Sequence, residues 1–399
     1  MQGDAENGSR FAQCRFIKKG MDFVIYLDNA ATTKPCEDAC RAVMRGMELF
    51  GNPSSLHSLG LEAEMLISEQ REIVADALGA LPKEIIFTSG ATESSNTAIF
   101  GAYAAHGKRK KRIVTTTVEH PSVANPIAKL EQLGCEVIKL SPDENGEIPP
   151  QQVLAAVNDD TFLVSIMLVN NETGALFNVG SAFAMIKKRY PQVLLHCDCV
   201  QGFMKLPFTV KKLGADLISL SGHKIYAPKG VGALYVKNGV HLPPFMLGGG
   251  QENGARSGTE SVPLICGFGA AVKALSGKVE SSLEAARDVQ KHLVQKCGEN
   301  EGVSVNLIGG SPYITSIAVQ GLKSEVLLHF LEKKGIFVSS GSACSKGKKS
   351  SVIKEFHVPE KLSDSVLRIS ISTQTTKQDI DTLLEAIAEA QGSLARIKK

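Results

Sequence analysis

Strand and helix signals alternate along the first two thirds of the chain. Short apolar runs bounded by turn residues predict strands, and longer amphipathic stretches between most of them predict helices. Strands joined by helical crossovers form a mostly parallel sheet that is covered on both faces. The sequence therefore predicts an α/β fold with a large, mostly parallel seven-stranded sheet. Its strands are expected at residues 84–88, 112–118, 136–140, 162–169, 193–198, 216–221 and 232–236.

The pattern changes near Pro263, where a long helical region extends to about residue 297. Further strands and helices then alternate less regularly, which is typical of a smaller α+β domain. We expect residues 21–262 to form a large domain and residues 263–399 a small C-terminal one. Residues 1–20 are polar and without pattern, and they are expected to be a disordered extension, with Met21 as an alternative start.

Composition excludes several classes of protein. The 44 Lys and Arg residues nearly balance the 41 Asp and Glu residues, so neither nucleic acid nor an anionic membrane is an expected partner. No apolar run approaches the roughly 20 residues that span a bilayer, and the first residues do not resemble a secretory signal. The nine cysteines are spaced unlike a zinc site, so reduced thiols in the cytoplasm and no metal are expected.

Polar motifs follow several of the predicted strands, and ligands of open parallel sheets bind beyond the carboxyl ends of strands. Residues 88–94 read TSGATES and lead into a helix, whose free amides, with the hydroxyl of Thr92, suit a phosphate. An ordinary capped helix start gives the same pattern. Residues 219–226 read SLSGHKIY, in which Ser221 and His223 can donate hydrogen bonds to an anion. Lys224 lies between them and apolar residues, where a lowered pKa favours a Schiff-base amine.

Other strand exits add further groups. Asp198 and Gln201, within HCDCVQ at residues 196–201, could hold a protonated ring nitrogen and a phenolate oxygen, although an Asp there can also cap a turn. His120 could stack on a planar cofactor or could be a packing residue, and Asn171 offers an amide to the same crevice.

Two motifs lie in the predicted small domain. Cys344 occurs in the Ser/Gly-rich and Lys-rich segment SSGSACSKGKK, an electropositive setting that favours a reactive thiolate. Arg368 lies in an apolar strand, where an arginine either extends to the surface or pairs bidentately with a carboxylate.

Together these motifs resemble the cysteine desulfurases, the NifS/IscS branch of the class V aminotransferase-like enzymes that depend on pyridoxal 5′-phosphate. The resemblance extends from about residue 26 to 390 and implies a PLP-dependent transferase of fold type I. It rests on eight blocks in addition to the His120 motif: YLDNAATT at 26–33, GNPSSLH at 51–57, TSGATE at 88–93, VNNE at 169–172, SGHK at 221–224, RSGT at 256–259, SGSAC at 340–344 and LRIS at 367–370.

The resemblance implies a role for each residue at the cofactor. Lys224 would hold it as a Schiff base, Asp198 would bind the pyridine nitrogen, and His120 would stack on the ring. Gln201 and Asn171 would contact the phenolate oxygen. The phosphate would be bound by residues of two strand-exit turns: Ala91, Thr92, Ser221, Gly222 and His223.

The resemblance also implies a homodimer, in which Thr259 completes the phosphate site of the partner subunit. Arg368 would bind the substrate carboxylate together with Asn171, and Cys344 belongs to an extended segment like that of the long-loop group. Cys199 and Ala227 depart from the family pattern, but both changes exchange one small residue for another.

The expected reaction is removal of sulfur from L-cysteine, which gives L-alanine and a persulfide on Cys344, with His120 carrying a proton. The sulfur would pass to an acceptor protein such as an iron–sulfur scaffold or a tRNA-thiolation enzyme. The alternatives are a selenocysteine lyase, a class V aminotransferase and a sulfur-relay scaffold with little turnover of its own.

Overall fold

The computed structural model describes residues 24–340 and 351–394. The expectations for residues 1–20 and for Cys344 concern residues outside these ranges. The strands are β1 (Ile25–Tyr26), β2 (Ile85–Thr88), β3 (Arg112–Thr116), β4 (Glu136–Leu140), β5 (Thr161–Ser165), β6 (Leu194–Asp198), β7 (Leu217–Ser221), β8 (Gly232–Val236), β9 (Val303–Val305), β10 (Ile314–Val319), β11 (Ile336–Phe337), β12 (Ser339–Ser340) and β13 (Val366–Ser370).

Helices occupy most of the chain between the strands. They are α1 (Glu37–Glu48), α2 (Ser58–Leu78), α3 (Ala91–His106), α4 (Pro121–Gln132), α5 (Pro150–Ala156), α6 (Val179–Arg189), α7 (Val210–Leu213), α8 (Val262–Leu275), α9 (Val279–Glu299), α10 (Ser324–Lys333), α11 (Ser351–Glu355) and α12 (Lys377–Ser393).

The large sheet has seven strands in the order β2-β8-β7-β6-β5-β3-β4. Only β8 is antiparallel to its neighbours, so the predicted mostly parallel seven-stranded sheet is confirmed. Every residue of β5, β6 and β7 is buried, which requires cover on both faces of the sheet. The strand predicted at 162–169 ends earlier, at Ser165, because the residues beyond it form irregular backbone bonds toward the end of β6.

The C-terminal part contains a four-stranded antiparallel sheet in the order β12-β13-β10-β9. The long helical region predicted after Pro263 is two helices, α8 and α9, separated by a turn at Gly277 whose φ of 73° favours glycine. Residues 336–339 are a short apolar run that predicts one strand, but the run is divided, because β11 pairs with β1 whereas β12 pairs with β13. The boundary at residue 262 stays a prediction, but β1 before it is paired with β11 after it.

Among the described helices, none is long and apolar enough by itself to cross a bilayer. Taken together, α8 and α9 would be long and apolar enough, but a bend of 74° separates them.

A buried chain of polar side chains ties the centre of the large sheet to α3. His196 on β6 contacts Ser165 on β5 through Nδ1 at 2.7 Å and Ser219 on β7 through Nε2 at 2.9 Å. Ser95 of α3 donates a hydrogen bond to Ser219 at 3.1 Å. Complete burial lowers the pKa of His196 to about 3, so this imidazole is neutral. These hydrogen-bonded side chains fix the position of α3, whose first turn faces the strand exits.

Acid should therefore destabilise the fold partly through His196. In the unfolded chain His196 becomes protonated below about pH 6.5, whereas in the folded protein it becomes protonated only below about pH 3. The stabilising contribution is complete above pH 6.5 and is lost as the pH falls below it, by about 1.4 kcal/mol per pH unit. In urea unfolding between pH 7 and 5, His196→Gln should show a shallower fall in the free energy of unfolding than wild type. The surface variant His329→Gln should retain the wild-type slope, and an equal slope for His196→Gln would contradict the prediction.

Candidate active site

The carboxyl ends of five strands that precede the polar motifs lie at one edge of the large sheet. β3, β5, β6 and β7 are linked by parallel pairing, and the antiparallel β8 places the end of β2 at the same edge. The motifs that follow these strands therefore come together as the sequence predicts.

Lys224 lies at the centre of this edge, in a short 3-10 turn (Gly222–Lys224) that follows β7. Its Nζ donates hydrogen bonds to the carbonyl oxygens of Ala30 at 2.6 Å and Ala31 at 2.7 Å. The segment that supplies these carbonyls is fixed to the same turn, because Thr33 donates through both its amide and its hydroxyl to the carbonyl of His223. The amine is therefore held at a defined place at the exit of the strand.

The turn beyond Lys224 is strained. Tyr226 has a φ of 64°, a conformation that side chains other than Gly rarely adopt. Its amide donates to Thr33 Oγ1 at 2.7 Å, and its hydroxyl accepts a hydrogen bond from the amide of Thr373 at 3.1 Å. Contacts on both sides thus stabilise the sharp return of the chain that projects Lys224 into the site.

Asp198 is the last residue of β6 and is buried. Its Oδ1 accepts a hydrogen bond from the amide of Val200 at 2.9 Å. Burial raises the pKa of this carboxyl to about 6, while the Val200 amide and the positive charge of Lys224 act in the opposite direction. A further positive charge beside this carboxyl would stabilise its ionised form, and a protonated heterocyclic nitrogen would supply that charge.

His120 caps the N-terminus of α4. Its Nδ1 accepts a hydrogen bond from the amide of Ser122 at 3.1 Å and also contacts the Ser122 hydroxyl at 2.8 Å. Desolvation, and then the charge of Lys224, lower its pKa, so the imidazole is neutral near pH 7. The same causes lower the pKa of His223 to about 4, with Lys224 the strongest of several nearby positive groups.

The N-terminus of α3 offers the donors that an anion requires. No described residue accepts a hydrogen bond from the amides of Ala91, Thr92 or Glu93, and the N-cap residue Gly90 has no side chain to do so. A Cβ placed on Gly90 would lie 3.9 Å from the Ser221 hydroxyl, so this hydroxyl faces the helix start. Free amides, a hydroxyl and the positive end of a 16-residue helix form a site that fits a phosphate.

Arg368, on β13, brings the C-terminal part into the site. One guanidinium nitrogen donates to Asp28 Oδ1 at 2.7 Å and another to the carbonyl oxygen of Asn171 at 3.0 Å, while Nε is buried without a partner in the described chain. The side chain neither extends to the surface nor pairs bidentately with one carboxylate, because the backbone of Asn171 occupies the second position. Asn171 thus contributes its carbonyl oxygen here.

Thr259 is exposed, on a segment that is fixed from two sides. Arg256 forms hydrogen bonds to both carboxylate oxygens of Glu93 in the first turn of α3, at 2.7 and 3.3 Å. The buried Glu252 pairs with Arg71 of α2 at 2.6 and 2.8 Å.

Several residues of this edge are absent from the sequence-based site. Asp28, Ala30 and Ala31 lie within the block YLDNAATT, but two of them act through backbone carbonyls, which no pattern of side chains indicates. Glu119 directly precedes His120 in the sequence, and its side chain is buried. Its Oε1 accepts hydrogen bonds from the Thr116 hydroxyl and the Met167 amide. Burial raises its pKa to about 8, and the charge of Asp198 acts in the same direction.

The chemical groups of the residues present match those of pyridoxal phosphate. A phosphate would meet free amides at the start of α3, a cationic ring nitrogen would meet the buried carboxyl of Asp198, and an aldehyde would meet the amine of Lys224. All three groups belong to strand exits at the same edge of the large sheet.

Comparisons with known proteins agree with this geometry. The family described as aminotransferase class-V matches residues 25–383. The cysteine desulfurase IscS of Methanosarcina thermophila is 37% identical, over 92% of this chain and 91% of its own. IscS of Escherichia coli O139:H28 is 39% identical, over 94% of both chains.

Solved structures give the same result. A structure described as a NifS-like protein superimposes with a TM-score of 0.88 at 33% identity, over 93% of this chain and all of its own. A NifS-like protein from Rickettsia africae gives 0.83 at 31% identity, over 93% and 100%. These likenesses confirm fold type I, and the family depends on pyridoxal phosphate. The chain therefore belongs to the aminotransferase class-V family, where it groups with the cysteine desulfurases.

Proposed function

We propose that this protein is a cysteine desulfurase that transfers the sulfur of L-cysteine to its own Cys344 and then to an acceptor protein. The observation that carries the proposal is the position of Arg368. This buried guanidinium, with one nitrogen unpartnered within the described chain, lies on the same edge as Lys224. An amino acid bound there through its carboxylate would present its α-carbon toward the catalytic amine. One structural neighbour is described as a complex with cysteine, which supports this substrate.

Under this proposal the cofactor is held by the residues that the sequence predicts. Lys224 would hold it through its amine, Asp198 through the ring nitrogen, and His120 would stack on the ring. Gln201 and Asn171 would contact the phenolate oxygen. The phosphate would be bound at the two strand-exit turns, by Ala91, Thr92, Ser221, Gly222 and His223. When bound, pyridoxal phosphate withdraws electrons from the substrate α-carbon.

The chain's own groups would move the protons and the sulfur. Lys224 Nζ would take the proton from the substrate α-carbon, and the neutral imidazole of His120 would accept the proton of the substrate thiol. The Cys344 thiolate would attack the substrate sulfur, so that an S–S bond forms as the C–S bond breaks. The electron pair of the C–S bond stays with the carbon, which is protonated to give alanine. L-Cysteine and one enzyme thiol thus yield L-alanine and one enzyme persulfide, without an external oxidant.

The position of β12 supports Cys344 as the sulfur acceptor. Ser339 pairs directly with Arg368, and Ser340 is the last residue before the segment that contains Cys344. Four residues of chain span at most about 14 Å. Chain length alone therefore allows Cys344 to be the thiol that meets a substrate held by Arg368, as the proposal requires.

Incubation with L-cysteine tests the reaction directly. The cofactor-loaded protein, treated without reductant, should gain the mass of one sulfur atom on the peptide that contains Cys344, and alanine should appear in solution. Cys344→Ala should lose both the added sulfur and sulfide release but keep the visible spectrum of the bound cofactor. Cys40→Ala, which removes an exposed thiol, should behave as wild type. Sulfide release by Cys344→Ala would refute the role of this thiol, and pyruvate or a transaminated cofactor would indicate one of the alternative activities.

Arg368 can be tested without removing its charge. Arg368→Lys keeps a cation but loses the planar fork that binds a carboxylate through two hydrogen bonds. We expect KM for L-cysteine to rise by about 30- to 100-fold, equivalent to about 2–3 kcal/mol, with little change in the cofactor spectrum. Arg112→Lys, at a surface ion pair with Glu136, is the matched control and should leave KM unchanged. An unchanged KM in Arg368→Lys would exclude this arginine from carboxylate binding.

The proposal includes a homodimer, in which Thr259 of each subunit completes the phosphate site of the other. Large exposed apolar side chains support a second copy as the partner. They are concentrated in and between α1 and the start of α2, where Phe50 is 81% and Leu56 is 94% exposed. The ion pairs at Glu93 and Glu252 hold the exposed Thr259 segment in a fixed conformation.

The proposal also includes a cytoplasmic location. The seven described cysteines are all free, which supports it.

Substitution at this apolar surface should separate the subunits. Leu56→Asp places a charge where apolar contact is expected, so sedimentation should show monomers that bind pyridoxal phosphate more weakly, by about tenfold for each lost hydrogen bond to the phosphate. Leu133→Asp, at another exposed leucine, is the matched control and should remain dimeric. Thr259→Ala should remain dimeric yet share the loss of cofactor affinity. A dimeric Leu56→Asp protein would place the interface elsewhere.

A further inference from the structure

The amine of Lys205 is buried within the site and has no part in the function described above. Lys205 lies in the turns that follow β6, and only 6% of its surface is exposed. Its Nζ donates a hydrogen bond to Gln201 Oε1 at 3.3 Å and lies 5.9 Å from the centre of the Tyr313 ring. Among the described residues, no carboxylate forms an ion pair with it.

Stability does not explain a lysine at this position. A buried ammonium without a counter-ion costs several kcal/mol, and an apolar side chain of similar length would fill the same space without that cost. The environment opposes the charge further, since burial and the nearby Lys224 and Arg368 lower the pKa of Lys205 to about 7. Because burial of Lys205 costs stability, we expect this residue to have a function in the site.

The contacts of Lys205 determine which way the amide of Gln201 points. At one end of the amide, Nε2 donates to the carbonyl of Ala30 at 2.9 Å, and a carbonyl can only accept. At the other end, Oε1 accepts from Lys205. Each end therefore meets the partner that its chemistry requires, and a rotation of 180° would break both hydrogen bonds. The same Ala30 carbonyl accepts from Lys224 at 2.6 Å, so the amide and the catalytic amine share an acceptor.

We propose that Lys205 is a positioning residue that orients Gln201, so that the amide presents N–H groups and not its oxygen toward Lys224 and the cofactor. The inference rests on the proposed function, in which Gln201 contacts the phenolate oxygen. An anionic oxygen requires a donor, and a rotated amide would place a second acceptor against it. Lys205 acts through Gln201, the residue to which its amine donates a hydrogen bond.

A double-mutant cycle on the cofactor-loaded protein tests this inference. Lys205→Met, Gln201→Ala and the double variant are titrated with acid and base while the visible absorption of bound pyridoxal phosphate is recorded. Loss of a nearby cation and loss of an oriented N–H donor both favour the protonated form of the cofactor. In Lys205→Met the midpoint of the spectral change should therefore rise by about one pH unit.

The comparison between backgrounds decides the mechanism. If Lys205 acts through Gln201, the shift caused by Lys205→Met should fall to less than half its size when Gln201 is already Ala. An equal shift in both backgrounds would mean that only the through-space charge matters, and no shift in the wild-type background would mean that Lys205 has no influence. Either result would overturn the inference.

Controls separate this effect from folding and from the proposed function. Thermal unfolding of the cofactor-free Lys205→Met protein should occur at or above the wild-type temperature, because an unpaired buried charge has been removed. Lys205→Gln is carried through the same cycle, so that the test does not depend on one variant. Lys211→Met, on the surface, should leave the spectrum unchanged. A wild-type protein without a visible cofactor band would refute the proposed function, whereas a band without desulfuration would leave the cycle informative.

Discussion

The site depends on one amine at the end of β7 that two backbone carbonyls hold in place. Burial, and after it the charge of Lys224, lowers the pKa of His120, His223 and Lys205, so these neighbours tend toward their uncharged forms. Its charge also opposes the effect of burial on Asp198. Two neutral imidazoles and an amine with a pKa of about 7 thus surround Lys224, and such groups can exchange protons near neutral pH.

Two buried carboxyl groups divide the acidic chemistry of the same edge. Burial raises the pKa of Glu119 to about 8 and that of Asp198 to about 6. Glu119 is therefore the carboxyl that stays protonated, and Asp198 is the one that can carry negative charge toward a cation. Neighbouring groups of the same type take different roles when their surroundings shift their pKa values apart.

The parts of the site that follow strands were predictable from the sequence. Strand exits, small turn residues and a lysine after a Ser-Gly-His turn are local patterns, and parallel pairing brings them together at one edge. The carbonyls of Ala30 and Ala31 were not predictable, because every residue has a carbonyl and only the path of the chain determines its direction. Lys205 was missed for a related reason, since a lysine in sequence carries no sign that it will be buried. The division of residues 336–339 between β11 and β12 depends on partners more than 300 residues away in one case, which no local pattern contains.

The first described strand has a consequence for how this architecture can be varied. β1 belongs to the N-terminal end of the chain but pairs with β11, and Asp28, directly after it, pairs with Arg368. The next residues supply the carbonyls that hold Lys224. A chimaera that exchanged the C-terminal part between relatives would give β1 and Asp28 foreign partners, directly before the residues whose carbonyls accept hydrogen bonds from Lys224. The natural unit of exchange therefore includes the N-terminal segment through Thr33 as well as the C-terminal part.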